Sequence, residues 1–112
     1  MPTPPIPMDP HVDLLLTMRS LIEHWIRHPQ ASDTTEGIHR WWLVPGVDAT
    51  GADVSAALDW LEHHGAVEAA SAADGRVRYR RSAGFDKTRI EAEADALWRT
   101  AQPGIEPPAW NH

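Results

Sequence analysis

The sequence predicts a mainly α fold with one small β-hairpin, in the order helix, helix, helix, hairpin, helix. Three observations carry this. Four stretches place apolar residues at helical spacing, and each has a polar residue suited to start it and a Pro or Gly to stop it. Asp74-Gly75 is a strong hairpin-turn dipeptide. Arg76-Val77-Arg78-Tyr79-Arg80 after it alternates polar and apolar, as a half-buried strand does. The expected elements are helices at about 10–28, 34–43, 51–64 and 87–101 and a hairpin at about 66–81. They form one domain over 10–102, preceded by a disordered Pro-rich leader, 1–9, and followed by a flexible tail, 103–112.

Residues 1–7 hold four prolines, which exclude a helix or a central strand and favour extended polyproline II. Two P-x-x-P spacings occur there, a pattern that recurs by chance. Asp9-Pro10 suits a helix start, with Asp9 as cap and Pro10 at the first helical position. Leu14, Met18, Leu21, Ile22, Trp25 and Ile26 then make a broad apolar face. Asp13, Arg19, Glu23 and Arg27 take the other side, and Pro29 ends the run. Residues 30–32 read as a short linker.

Asp33-Thr34-Thr35-Glu36 starts the second helix, with Asp33 as cap and Glu36 reaching back. Ile38, Trp41 and Trp42 give it an apolar face, although both tryptophans cannot point fully inward. Pro45-Gly46 stops it. Thr50 caps the third helix, in which Val54, Ala57, Leu58 and Leu61 fall at helical spacing and Gly65 closes the run. Asp86 caps the last helix, whose apolar face is Ile90, Ala94, Leu97 and Trp98, and Pro103-Gly104 ends it. The tail beyond is loose unless Trp110 docks.

The stretch 33–82 resembles the winged helix-turn-helix superfamily, in particular small bacterial regulators of the MarR and ArsR type. The segment Leu58-Asp59-Trp60-Leu61-Glu62-His63-His64-Gly65-Ala66-Val67 resembles the end of a recognition helix running into the first wing strand. Asp74-Gly75-Arg76-Val77-Arg78-Tyr79 resembles the wing tip and return strand. The resemblance covers somewhat under half of the chain and bears on fold more than on function. Two departures stand out. The connection 44–51 is longer than the tight turn usual between the two helices. The third helix also carries no Lys or Arg, so its outer stripe is Ala52, Ser55, Ala56, Asp59, Glu62 and His63. A helix that enters the major groove supplies donors to base edges and cations to phosphates, and Asp59 and Glu62 meet phosphate with repulsion.

Composition sharpens the choice of partner. The 112 residues carry a formal net charge of −6, spread unevenly. Residues 1–75 hold eleven acids against three arginines, a net of −8. Residues 76–89 hold six cations against one acid, a net of +5, and residues 90–112 hold four acids against one cation, a net of −3. This is a basic patch on an acidic body. Arg76, Arg78 and Arg80 alternate and so share a face, and Arg81 adds a fourth charge. They suit DNA or an acidic protein partner, or else they form a solvated strand paired with Glu68 and its neighbours, each such pair worth about 0–1 kcal/mol.

With no cysteine there is neither a disulfide framework nor a thiolate metal site. The first ten residues lack the charged and apolar regions of a secretory signal, and the expected location is the cytoplasm. His24 and His28 have the i, i+4 spacing of two metal ligands, but zinc needs more and no complete motif follows, so no metal and no cofactor is expected. His63-His64 sits where a helix dipole favours positive charge. Asp59, Glu62 and His63 share one helix face, yet a convex face lacks the enclosed site that catalysis needs, and no Gly-rich phosphate loop or Ser elbow occurs. Of six tryptophans, Trp25, Trp42 and Trp98 fit core faces, leaving Trp41, Trp60 and Trp110 for the core's edge or for a partner.

The expected function is therefore non-enzymatic binding, with no membrane and no small-molecule substrate. One reading is a protein-interaction module that grips a protein partner with Ser55, Ala56, Asp59, Trp60, Glu62 and His63. The other is a DNA-binding regulator, a homodimer closed by the first or last helix, that uses Arg76, Arg78, Arg80 and Arg81.

Overall fold

A computed structural model describes residues 12–44 and 46–110 of the chain. The Pro-rich leader and the Asp9-Pro10 start lie outside these residues. The first helix, α1, is Val12–Arg27. Leu15, Met18, Leu21, Ile22 and Trp25 bury its apolar stripe, with Leu14 and Ile26 half-buried beside it. Thr17 and Ser20 are also buried; each satisfies its hydroxyl by donating to the carbonyl one turn back, Asp13 at 2.6 Å and Leu16 at 2.9 Å.

After Pro29 the chain turns sharply, and the turn is fixed from within the core. The Trp25 indole N–H donates to the Ala31 carbonyl at 3.0 Å. Ser32–Asp33 then forms a short strand, β1. Residues 30–32 are therefore not a plain linker, and Asp33, expected as the helix cap, lies in the strand instead. Two residues are too few to show an alternating pattern, and β1 exists because β3 offers an edge to it. The cap of α2, Thr35–Trp41, is Thr34, whose hydroxyl accepts from the Gly37 N–H at 3.2 Å. Asp33 instead accepts from the Thr34 N–H at 2.7 Å.

In α2, Ile38 is buried, and Trp42 follows as the C-cap and packs inward. Trp41 is 75 % exposed, so the apolar face expected there loses one member. Helix α3, Gly51–His63, starts in a reciprocal capping box between Thr50 and Asp53. It ends at Gly65, whose φ of +75° admits the left-handed turn that lets the Gly65 N–H reach the Glu62 carbonyl and the Ala66 N–H reach the Leu61 carbonyl.

Strands β2, Val67–Ser71, and β3, Val77–Arg81, form the expected hairpin. Ala72 and Arg76 close it, and Gly75 takes a φ of +82° in the turn. With β1 they make a three-stranded antiparallel sheet in the order β1-β3-β2, with Asp33 opposite Tyr79 and Ala69 opposite Tyr79 on the other side. Helix α4, Lys87–Ala101, is capped by Asp86 and packs on α1 through Ile90, Ala94 and Trp98. The domain is thus α+β, with four helices and one small sheet among the described residues.

The return of the chain after α4 alters the surface of α1. Trp98 donates to the Ile105 carbonyl at 2.9 Å. Trp110 then lies on Arg19, with its ring centre 3.9 Å from the guanidinium carbon, and donates to Asp95 at 3.3 Å. Arg19, expected on the solvent side, is only 5 % exposed. Its guanidinium donates to Asp95 at 2.7 Å and to the Pro108 carbonyl. Removing one partner of such a pair strands a desolvated charge. Asp95→Ala is therefore expected to lower unfolding stability by about 1–3 kcal/mol, the lower range reflecting Asp95's partial exposure. Arg19→Met combined with Asp95→Ala is expected to recover part of the loss. Urea denaturation of the three proteins measures both.

Candidate functional site

The surfaces that can meet a partner are set by the packing of α3. Val54, Ala57, Leu58 and Leu61 turn into the core. Ala52, Ser55, Ala56, Asp59, Glu62 and His63 are exposed on the opposite side, where the periodicity puts them. Trp60 is half-buried and stacks on His64 with ring centres 3.9 Å apart. His64 also lies 2.8 Å from Glu93 of α4, which fixes the imidazole and, through it, the indole. The outward face of α3 is thus small-residue and acidic, with an aromatic plate at one margin.

Its field extends to the sheet. Half-buried Tyr79 is pushed above the usual phenol range, first by burial, then by the Asp59 and Glu62 carboxylates.

The hairpin arginines separate by strand alternation. Arg76, Arg78 and Arg80 are exposed on one face. Arg80 is paired with Glu68 directly across the sheet, Nε to Oε1 at 2.6 Å. Arg81 belongs to the other face: its guanidinium carbon lies 4.6 Å from the centre of the Phe85 ring, and it donates weakly to the Trp25 carbonyl at 3.4 Å. Arg76 and Arg78 form no ion pair among the described residues.

A concavity that the sequence did not disclose lies between α2 and the start of β3. It has a volume of about 400 Å³ and is lined by Thr34, Glu36, His39, Arg40, Trp41 and Arg76. A second depression of about 310 Å³ shares Thr34, Glu36 and Arg76 and reaches Val77. The one signal for it in the sequence is the Trp41-Trp42 pair, in which one ring must face outward. Nothing local joins Trp41 to Arg76, which are brought together only by the pairing of β1 with β3.

His24 is stacked on Trp42 at 3.9 Å and lies 4.8 Å from His28. Its pKa is lowered from the ordinary histidine value, first by burial, then by the nearby His28 and Arg27 charges, against an opposing pull from Asp33. The ring thus joins α1 to Trp42 as a stacked aromatic contact. Among the described residues no three His, Asp or Glu side chains converge as a metal site requires, and no helix is long and apolar enough to cross a membrane.

No family model matches the chain, and neither the curated proteins nor the solved structures contain a match to it.

Because Tyr79 is the only tyrosine, its titration reports the α3 field directly. Asp59→Asn with Glu62→Gln is expected to lower the Tyr79 pKa towards the ordinary phenol value without restoring it fully, since burial remains. Tyrosinate absorbance against pH measures this; an unchanged midpoint would mean that the two carboxylates do not reach the phenol.

Proposed function

We propose that this chain is a non-enzymatic binding module of winged-helix type that acts through protein–protein contacts made by the outer face of α3. Support for the winged-helix reading is the succession of a helix, a helix pair and a two-stranded ribbon, with the ribbon following α3 directly. The observation that carries the functional reading is the exposed α3 stripe, which holds Asp59 and Glu62 and no cation. In a major groove those carboxylates would face a dense row of phosphates. Against a protein, Ser55 and Ala56 allow close approach, Asp59 and Glu62 select a cationic surface, and Trp60 supplies flat apolar area at the edge. Two of the four hairpin arginines are already engaged, Arg80 by Glu68 and Arg81 by Phe85, which further weakens the polyanion alternative.

The second reading, a DNA-binding regulator using the wing, draws on Arg76 and Arg78, both exposed and without an ion-pair partner among the described residues. The two readings separate in one set of measurements. The wild-type chain is expected to recover a protein partner from its host, or to self-associate, and Asp59→Arg is expected to abolish that recovery while leaving circular dichroism unchanged. Equal recovery by both proteins would count against the α3 interface. Duplex DNA is expected to give no mobility shift at low salt. A shift that weakens steeply with salt and disappears in the Arg76→Ala, Arg78→Ala variant would establish the regulator instead.

A further inference from the structure

We propose a second binding site, apart from α3: the cleft between α2 and β3 takes an extended acidic segment of a partner protein, which adds as a short strand to the uncovered edge of β3. The hydrogen-bond pattern of the hairpin locates that edge. Ala72 N–H donates to the Arg76 carbonyl at 2.8 Å, and Ser82 N–H donates to the Ala66 carbonyl at 3.0 Å. In an antiparallel pair such bonded positions recur every second residue. Arg76, Arg78, Arg80 and Ser82 therefore turn their backbone groups towards β2, and Val77, Tyr79 and Arg81 turn theirs the other way. There β1 covers Tyr79 through Asp33. The chain then leaves the sheet for α2 at Thr34, so no strand stands opposite Val77. No backbone bond from β1 or α2 reaches Val77 among the described residues, and the residue is 43 % exposed.

The open edge faces the cleft, which includes Val77 together with Thr34, Glu36 and Arg76. An extended peptide satisfies unpaired strand groups with its own backbone, and side-chain pockets then set its sequence. The charge of the cleft sets the sign. Arg40 and Arg76 form no ion pair among the described residues, against the single acid Glu36. A carboxylate on the segment meets two guanidinium groups, and the exposed Trp41 ring receives an adjoining apolar or aromatic side chain. Nucleic acid fits less well, because a phosphodiester chain offers no N–H to the Val77 carbonyl and Glu36 repels it.

The test begins with selection of random linear peptides on the immobilised full chain, without any assumption about the natural partner. Enriched peptides are expected to carry an acid next to an apolar residue. In fluorescence anisotropy, such a peptide is expected to bind about tenfold more weakly to Arg76→Glu and to Trp41→Ala, each equivalent to the loss of one strong contact. Both side chains are exposed, so unchanged circular dichroism will show that the variants fold. The bound peptide is expected to shift the Val77 amide signal in a nitrogen–proton correlation spectrum. The proposal is overturned by an absence of enrichment, by basic consensus sequences, by unchanged affinity for Arg76→Glu, or by amide shifts confined to α3 or to β2. Asp59→Arg, which tests the α3 interface, is expected to leave peptide binding intact, so the two sites fail or stand independently.

Discussion

The buried indole of Trp25 is the point on which the remaining structure depends. It is fully enclosed, and a Trp N–H removed from water needs an acceptor or costs about 1–3 kcal/mol. The Ala31 carbonyl supplies it, and in doing so folds the chain back after α1 and delivers Ser32 and Asp33 to the edge of β3. The same ring meets Trp42 edge-on, with centres 4.7 Å apart, which seats the end of α2. Its own backbone carbonyl lies within reach of Arg81. One side chain thus ties α1, α2 and the sheet together.

From that junction the two candidate surfaces follow. Seating α2 by Trp42 forces its neighbour Trp41 outward, and pairing β1 with β3 brings Arg76 up to it. The cleft is the space left where the chain departs from β1 into α2. On the other side, α3 packs its apolar stripe against α1, and the periodicity of a straight helix turns Ala52, Ser55, Ala56, Asp59, Glu62 and His63 outward, with Trp60 at the margin. The acidic α3 face and the cationic cleft are separate consequences of one core, which is why they can be altered one at a time.

The second tie is the clasp of Arg19. A charge on the solvent side of an isolated α1 becomes buried when the segment after α4 returns across it. Asp95, the Pro108 carbonyl and the Trp110 ring together replace the water that Arg19 loses. No buried side-chain nitrogen or oxygen among the described residues lacks a hydrogen-bond partner. The clasp joins α1 and the segment after α4 to Asp95 of α4, and lays Trp110 against the core.

The sequence by itself determined whatever depends on neighbours within a few residues. Thr50 and Asp86 start helices because their side chains reach an N–H three positions on. Gly65 and Gly75 mark the ends of an α-helix and of a strand because those places need a positive φ. The outward stripe of α3 was legible because 3.6 residues make a turn. Tertiary structure alone decided the rest: the strand at Ser32 and Asp33, the cap at Thr34 in place of Asp33, the burial of Arg19, the inward turn of Arg81 and the open edge at Val77. The strand and the buried Arg19 are fixed by partners distant in the chain, β3 for the one and an acid 76 positions away for the other. Local periodicity carries no information about such a partner, since what decides it is which groups are deprived of water only after the elements have packed.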